Sequence, residues 1–226
     1  MKEIQCKAIV LSSFNYRDYD RIVSLYSDLK GLIKVIIHGA NLPKSTKLIF
    51  CQPFTLIDLI YLPKKGDIHS FKEGKVLNAH LHLRDSFDSL QAAAQLLDIT
   101  TKSQIPEEPS VKIFPLLVSY LQKMNLFGNP YILSSSFILK IILIAGQWTV
   151  QTKCNKCSSS LQDFYFVSRA YYCAQCTPSK ELEFNLDEMQ ILTKLIGERS
   201  FTELNQVPLS QELQKKINTL FLVSFQ

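Results

Sequence analysis

Two Cys-x-x-Cys pairs, Cys154/Cys157 and Cys173/Cys176, stand fifteen residues apart, and no other feature of the chain constrains its fold as strongly. Two residues between paired cysteines let one tight turn aim both sulfurs at a single ion. Two such turns complete a tetrahedron of Zn–S bonds of roughly 2.3 Å. Four thiolates leave no open coordination position, so one structural Zn2+ per chain is expected, not a catalytic one. The intervening stretch carries Phe164, Tyr165, Phe166, Tyr171 and Tyr172 around the polar Ser168-Arg169. That composition predicts a zinc-ribbon-like hairpin within residues 150–178. Two disulfides are the competing reading. The opening residues Met1–Ile4 do not read as a signal peptide, and Cys6 and Cys51 are left over; both points favour a reducing, cytoplasmic compartment. A zinc deaminase is excluded, because its signature requires a His-x-Glu ahead of the cysteines and that tripeptide does not occur.

Charge is distributed unevenly. The net charge is +5, and residues 1–84 hold thirteen Lys/Arg against seven Asp/Glu, whereas the rest holds twelve against thirteen. A basic first third joined to a neutral remainder points to a polyanionic partner, with nucleic acid first. Hydrophobic residues make up 46%, enough for a packed core. The longest apolar run, Phe137–Ala145, is interrupted by Lys140 and falls far short of the about 20 residues that span a bilayer. No membrane association is expected.

The first eighty residues read as about five short strands, over 3–14, 20–27, 32–37, 54–61 and 68–77, with turns roughly every 8–12 residues. Gly31 closes the turn after Asp28, where positive φ carries no penalty. The polar stretch Asn41–Lys47 is a basic loop, since Pro43 cannot continue a ladder. Lys64 and Lys65 tip the next turn, between Pro63 and Gly66. Five strands with a basic face fit an OB-fold barrel, among other small barrels. From Asp85 the periodicity becomes helical. Helices are expected near 85–98, 111–126 (closed by Gly128-Asn129-Pro130), 131–148, 188–197 with Asp187 as cap, and after Ser210 with Leu213, Ile217, Leu220 and Phe221 on one face. The fold class expected is therefore α+β, with a barrel domain at 1–80 and a helical domain at 81–226 carrying the cysteine segment.

No Gly-x-Gly, Gly-Lys-Ser/Thr or Gly-x-Ser-x-Gly occurs, so neither nucleotide use through a phosphate loop nor a serine nucleophile elbow is expected. His80 and His82 would share a face on a strand, half of a metal site, but no third ligand accompanies them. The set with nucleic-acid character is Arg17, Arg21, Lys34, His38, Lys44, Lys47, Lys64 and Lys65. Phe14, Tyr16, Tyr19 and Tyr26 interleave with it and could stack bases at about 1–3 kcal/mol each, although Tyr26 is expected in the core.

Several segments fall in the order and spacing of the RecO family, bacterial recombination mediators: KAIVL at Lys7–Leu11, DRIVSL at Asp20–Leu25, GLIK at Gly31–Lys34, Gly39-Ala40, Lys44-Ser45 and QPF at Gln52–Phe54. The helical segment and the late four-cysteine site continue the resemblance over essentially the whole chain. It implies an N-terminal OB-fold, a helical domain with the zinc site, and a non-enzymatic role. It also implies binding of single- and double-stranded DNA, annealing of complementary strands, and, with RecR, loading of RecA onto DNA coated by single-strand-binding protein, in the cytoplasm at the nucleoid. The family's basic region maps here onto Arg17, Arg21, Lys34, Lys44 and Lys47. The chain departs from the family at Ser158, where a Gly commonly follows the second cysteine, at Tyr171-Tyr172, where small residues are usual, and at Asp18, where a Glu is more usual. The rival reading is a zinc-ribbon interaction module of transcription or translation. A metal-dependent hydrolase built on His80 and His82 is a distant third.

Overall fold

The computed structural model describes residues 2–124, 126, 128–180 and 182–225. Five strands open the chain: β1 (Ile4–Tyr16), β2 (Asp20–Ser27), β3 (Gly31–Ile37), β4 (Leu56–Leu62) and β5 (Ile68–Asn78). β1 is long enough to serve two neighbours. Residues 4–9 pair with β4 and residues 8–16 with β2, and a bulge between Val10 and Ser12 bends the strand just past the end of the β4 pairing. β3 runs antiparallel to β2, and β5 runs antiparallel to β4. A short parallel contact of Lys34–Ile36 with Ile68–Ser70 closes the barrel in the order β1-β2-β3-β5-β4. The OB-like barrel expected from the sequence is present.

The period-2 pattern sends Cys6, Ala8, Val10, Val23, Leu25, Val35, Ile57 and Leu59 inward as one buried cluster. Burial pushes the Cys6 thiol up to about 12 and raises Cys51 as well, so the two spare cysteines are neutral core residues. The expected fourth strand begins later than read. Phe54 has φ +73 and turns the chain, so the strand starts at Leu56. The basic loop also ends sooner, in a 3-10 turn over Thr46–Cys51. Ser45 caps it by accepting from the Lys47 N–H, and the turn delivers Cys51 into the barrel core.

Two helices follow, α1 (Phe87–Ser103) and α2 (Ile113–Lys123). Ser86 caps α1 by accepting from the Ser89 N–H, and α1 packs on β1. Between the helices the chain returns along β3. Pro106 bridges Leu32, the Glu107 N–H donates to the Leu32 carbonyl at 3.1 Å, and the Tyr26 hydroxyl donates to Gln104 at 3.1 Å. Gly31 is required twice over. Its φ is +61°, and a Cβ there would lie 2.7 Å from the Glu108 carbonyl oxygen. Gly31→Ala is expected to destabilise the protein by at least about 1–3 kcal/mol, read as a lowered urea midpoint with an unchanged slope.

Contacts divide the chain into two compact units, residues 1–122 and 123–226, so α1 and α2 belong with the barrel. In the second unit α3 (Pro130–Ile144) is apolar almost all round and buried, with the helices α4 (Leu186–Gly197) and α6 (Gln211–Ser224) packed against it. Asn129 and Pro130, read from sequence as a stop, start α3: the Asn129 side chain accepts from the Tyr131 N–H and Pro130 takes the first turn. Lys140, the one charge in the apolar run, reaches the Glu198 carbonyl at the C-terminal end of α4 at 2.9 Å. The α4 cap is Asn185 in a capping box with Glu188, in place of the expected Asp187. Ser210 caps α6, and Leu213, Ile217, Leu220 and Phe221 are all buried on one face, as expected. The short helix α5 (Phe201–Leu204) lies between α4 and α6. The cysteine segment enters between α3 and α4, with strands β6 (Phe164–Val167), β7 (Ala170–Tyr172) and β8 (Glu183–Phe184) in the order β7-β6-β8.

Candidate metal centre and nucleic-acid interface

The cysteine turns are held by backbone hydrogen bonds. In the first, the Ser158 N–H donates to the Cys154 carbonyl at 2.9 Å, and the Cys154 N–H donates to the Ser159 carbonyl at 2.8 Å. In the second, the N–H groups of Cys176 and Thr177 both donate to the Cys173 carbonyl at 3.0 Å. The Asn155 N–H donates to the Tyr171 carbonyl at 2.9 Å and ties the first turn to the hairpin. β6 and β7 form that hairpin, and both residues of its turn, Ser168 and Arg169, have positive φ. Tyr171 anchors it. The buried ring packs edge-on against Phe164, and its hydroxyl accepts from the Trp148 indole N–H.

These turns bring the four sulfurs together, all within 4.8 Å of one another. The Cys157 and Cys173 sulfurs are 3.8 Å apart, too far for a disulfide and close to the roughly 3.8 Å edge of a tetrahedron of 2.3 Å Zn–S bonds. The charge balance also fits a cation. The Cys157 N–H, then those of Cys173 and Lys156, pull the Cys154 thiol down to about 6. The Ser159 hydroxyl and N–H lower Cys157. Cys173 and Cys157 beside it push Cys176 up to about 12. Four thiolates this close repel one another, and a divalent ion removes that penalty. Ser159, whose Oγ lies 2.9 Å from the Cys157 sulfur, was not legible from spacing; one serine in a run of three carries no signal of its own. Among the described residues the four cysteines are the one convergent group of potential ligands. His80 and His82 do not lie on a strand. They sit at a 3-10 turn over Leu81–Asp85, where His80 Nδ1 lies 2.8 Å from the Phe54 carbonyl and His82 Nε2 lies 3.1 Å from the Leu121 carbonyl.

In the barrel unit the eight cationic candidates fall into three places. Arg17, Arg21, His38, Lys44 and Lys47 gather at the end holding the β1–β2 turn. Lys64 and Lys65 tip the β4–β5 turn at the opposite end. Lys34 lies between them on β3, exposed. Asp20 pins the first group. Its carboxylate accepts from the Gly39 N–H at 2.9 Å and sits 2.8 Å from His38 Nδ1; these two partners, in that order, hold its pKa below the usual carboxylate range. The Asn41 N–H donates to the Tyr19 carbonyl at 2.9 Å and joins the loop to the hairpin.

Arg21 is committed internally. Its guanidinium donates to Asn15 at 2.8 Å, Ser13 at 2.9 Å and Asn41 at 3.3 Å, so it orders the hairpin and the loop. Lys47 reaches the His38 carbonyl at 2.9 Å while staying exposed. Lys44, at φ +68, is exposed with no side-chain partner among the described residues. It borders an open cleft of about 560 Å3 with His38, Leu42 and Lys47. Phe14 and Tyr19, 51% and 55% exposed, stand on the same hairpin, and the Arg17 guanidinium lies over the Tyr16 ring at 5.3 Å. Tyr26 is fully buried, as expected. In OB-folds the outer face of the second and third strands, between the β1–β2 and β4–β5 loops, carries oligonucleotides. The two cationic ends flank that face and Lys34 lies on it.

Sequence comparison agrees with this architecture. The family profile "Recombination protein O N terminal" matches residues 1–80, and "Recombination protein O C terminal" matches residues 84–222. Among curated relatives, the DNA repair protein RecO of Desulforamulus reducens is 26% identical over 97% of this chain and 87% of its own length. That of Chlamydia trachomatis serovar L2 is 25% identical over 97% and 91%, and that of Mycoplasma capricolum is 26% identical over 97% and 89%. With two adjoining profiles spanning barrel and helical region alike, the chain belongs to the RecO family of DNA repair proteins.

Proposed function

We propose that this chain is a recombination mediator that binds single- and double-stranded DNA on its barrel and anneals complementary strands. With RecR it helps load RecA onto DNA coated by single-strand-binding protein. The observation that carries the reading is the convergence of Lys44, Lys47, His38 and Arg17 with exposed Phe14 and Tyr19 at one end of an OB-like barrel. Cations there would neutralise phosphates, and the rings would stack bases. Annealing then needs no covalent step, because lowering the repulsion between two backbones and holding bases exposed is sufficient.

The proposed cofactor is one structural Zn2+ held by Cys154, Cys157, Cys173 and Cys176. When bound it supplies a four-way crosslink between two turns, Cys154–Ser160 and Cys173–Thr177, that contain no large apolar side chain of their own. The proposed domains are a DNA-binding barrel in 1–80 and a helical, zinc-carrying region in 81–226, a division supported by two family profiles that meet between residues 80 and 84. No described helix is long and apolar enough to cross a membrane, and the proposed location is the cytoplasm, at the nucleoid.

The test is RecA filament assembly on single strands coated with single-strand-binding protein, with RecR present. Adding this chain is expected to shorten the lag before assembly. An unchanged lag with the zinc-loaded protein contradicts the mediator reading.

A further inference from the structure

We propose that the segment Gln104–Pro109 is an acidic strap that limits how far a DNA strand can run across the barrel, separating the cations at the β1–β2 end from those at the β4–β5 end. The inference rests on the proposed DNA-binding role of the barrel and goes beyond it by naming the element that shapes the path.

Strap and barrel are joined at the half of β3 nearest the β4–β5 turn. There β3 has no strand partner on its outer edge, since β5 pairs only from Lys34 onward. The strap takes that edge instead. Pro106 bridges Leu32, the Glu107 N–H donates to the Leu32 carbonyl, and Gln104 accepts from the Tyr26 hydroxyl. Gly31 leaves room for the Glu108 carbonyl to pass. Glu107 is held at φ +61, an unfavourable conformation for a residue with a Cβ.

The side chains carry the charge argument. Glu107 and Glu108 are both exposed. Glu107 Oε1 lies 3.6 Å from His69 Nε2, and His69 Nδ1 accepts from the Lys64 N–H at 3.3 Å. His69 therefore links the strap directly to the cationic β4–β5 turn. Lys34, Asp67 and Glu107 line one cleft of about 620 Å3, so that part of the surface carries two acidic residues to one basic one. A phosphodiester backbone leaving Lys34 for Lys64 and Lys65 must cross this acidic band, where like charges repel. At the other end the exposed Asp18 stands among Arg17, His38, Lys44 and Lys47, and Asp20 is paired with His38 and Gly39, so the cations outnumber the carboxylates there. A strand is thus admitted at the hairpin end and turned away from the strap.

The variant Glu107→Gln/Glu108→Gln removes the charge and leaves the backbone contacts of the strap in place. Its binding to single-stranded oligonucleotides of increasing length is compared with wild type across a salt series, using the full chain. For long oligonucleotides at low salt the variant is expected to bind about three- to tenfold more tightly, with a steeper salt dependence and a longer occluded site. Asp187→Asn/Glu212→Gln, which makes the same change in net charge in the other unit, is expected to stay near wild type. Equal affinity and equal site size for Glu107→Gln/Glu108→Gln and wild type would overturn the strap. A gain matched by the Asp187→Asn/Glu212→Gln control would also overturn it, because net charge alone would then suffice. A wild-type chain that bound no oligonucleotide would instead remove the DNA-binding reading on which the strap depends.

Discussion

Cys157→Ser is expected to abolish zinc retention and unfold the ribbon, the largest effect of any single substitution considered. Besides the metal, three short strands and a buried cluster of Leu161, Phe164, Phe166, Tyr171 and Phe184 hold the segment from Thr152 to Phe184, but the cysteine turns Cys154–Ser160 and Cys173–Thr177 contain no large apolar side chain. Structural zinc sites carry apparent binding energies of about 10–16 kcal/mol at neutral pH, and this energy is folding energy because the site does not exist in the unfolded chain. Losing one of four thiolates also leaves the remaining sulfurs, within 4.8 Å of one another, without the ion that offsets their repulsion. Metal content is expected to fall from one zinc per chain to none, and amide-exchange protection to vanish across β6 and β7. The barrel is expected to keep its protection, since its hydrogen bonds are internal to residues 1–122. A Cys157→Ser chain that loses its zinc yet keeps wild-type protection in the hairpin would show that the metal is not structural.

The second large effect concerns the hairpin end of the barrel. Lys44→Ala/Lys47→Ala is expected to weaken binding to single-stranded DNA about tenfold near physiological salt. The slope of log affinity against log salt should become shallower by up to about 1.4, at about 0.7 for each lost phosphate contact on a single strand. Neither lysine is buried, so the melting curve should stay within about 0.5 kcal/mol of wild type. Arg21→Ala is a contrasting case. Its guanidinium bonds Ser13, Asn15 and Asn41, so that variant should lose stability together with binding. Unchanged binding of the lysine variant at both low and high salt would remove Lys44 and Lys47 from the interface.

What could be read in the sequence followed from short-range rules. The Cys-x-x-Cys spacing is a property of two tight turns, and the turns bring the sulfurs together as that spacing requires. The five strands were visible because alternation survives where one face is buried. The spare cysteines read as unpaired, and the barrel core accounts for both. The misread boundaries lie where side chains outvote propensity. Asn129-Pro130 has the composition of a stop but caps and opens α3, and Asn185 outcompetes Asp187 through its reciprocal bond with Glu188. The division of the cations between two ends depends on strand direction in the closed barrel, which no local pattern encodes. Arg21 looked like the other cations until its three acceptors were seen. Ser158 shows the converse. The family resemblance leads one to expect glycine at this position, and the Ser158 φ of +60 is the conformation that glycine tolerates best. Tyr171, where the family resemblance leads one to expect a small residue, is the buried anchor of the hairpin.

Pairing of DNA strands by charge and positioning, the role proposed for this protein, is read out by an annealing assay. Two complementary fluorescent oligonucleotides, first bare and then coated with single-strand-binding protein, are mixed with the zinc-loaded chain in the absence of nucleotide. Faster pairing of both is the expected result, diminishing as salt is raised. Pairing no faster than without the protein, at low salt and with one zinc bound per chain, would contradict it.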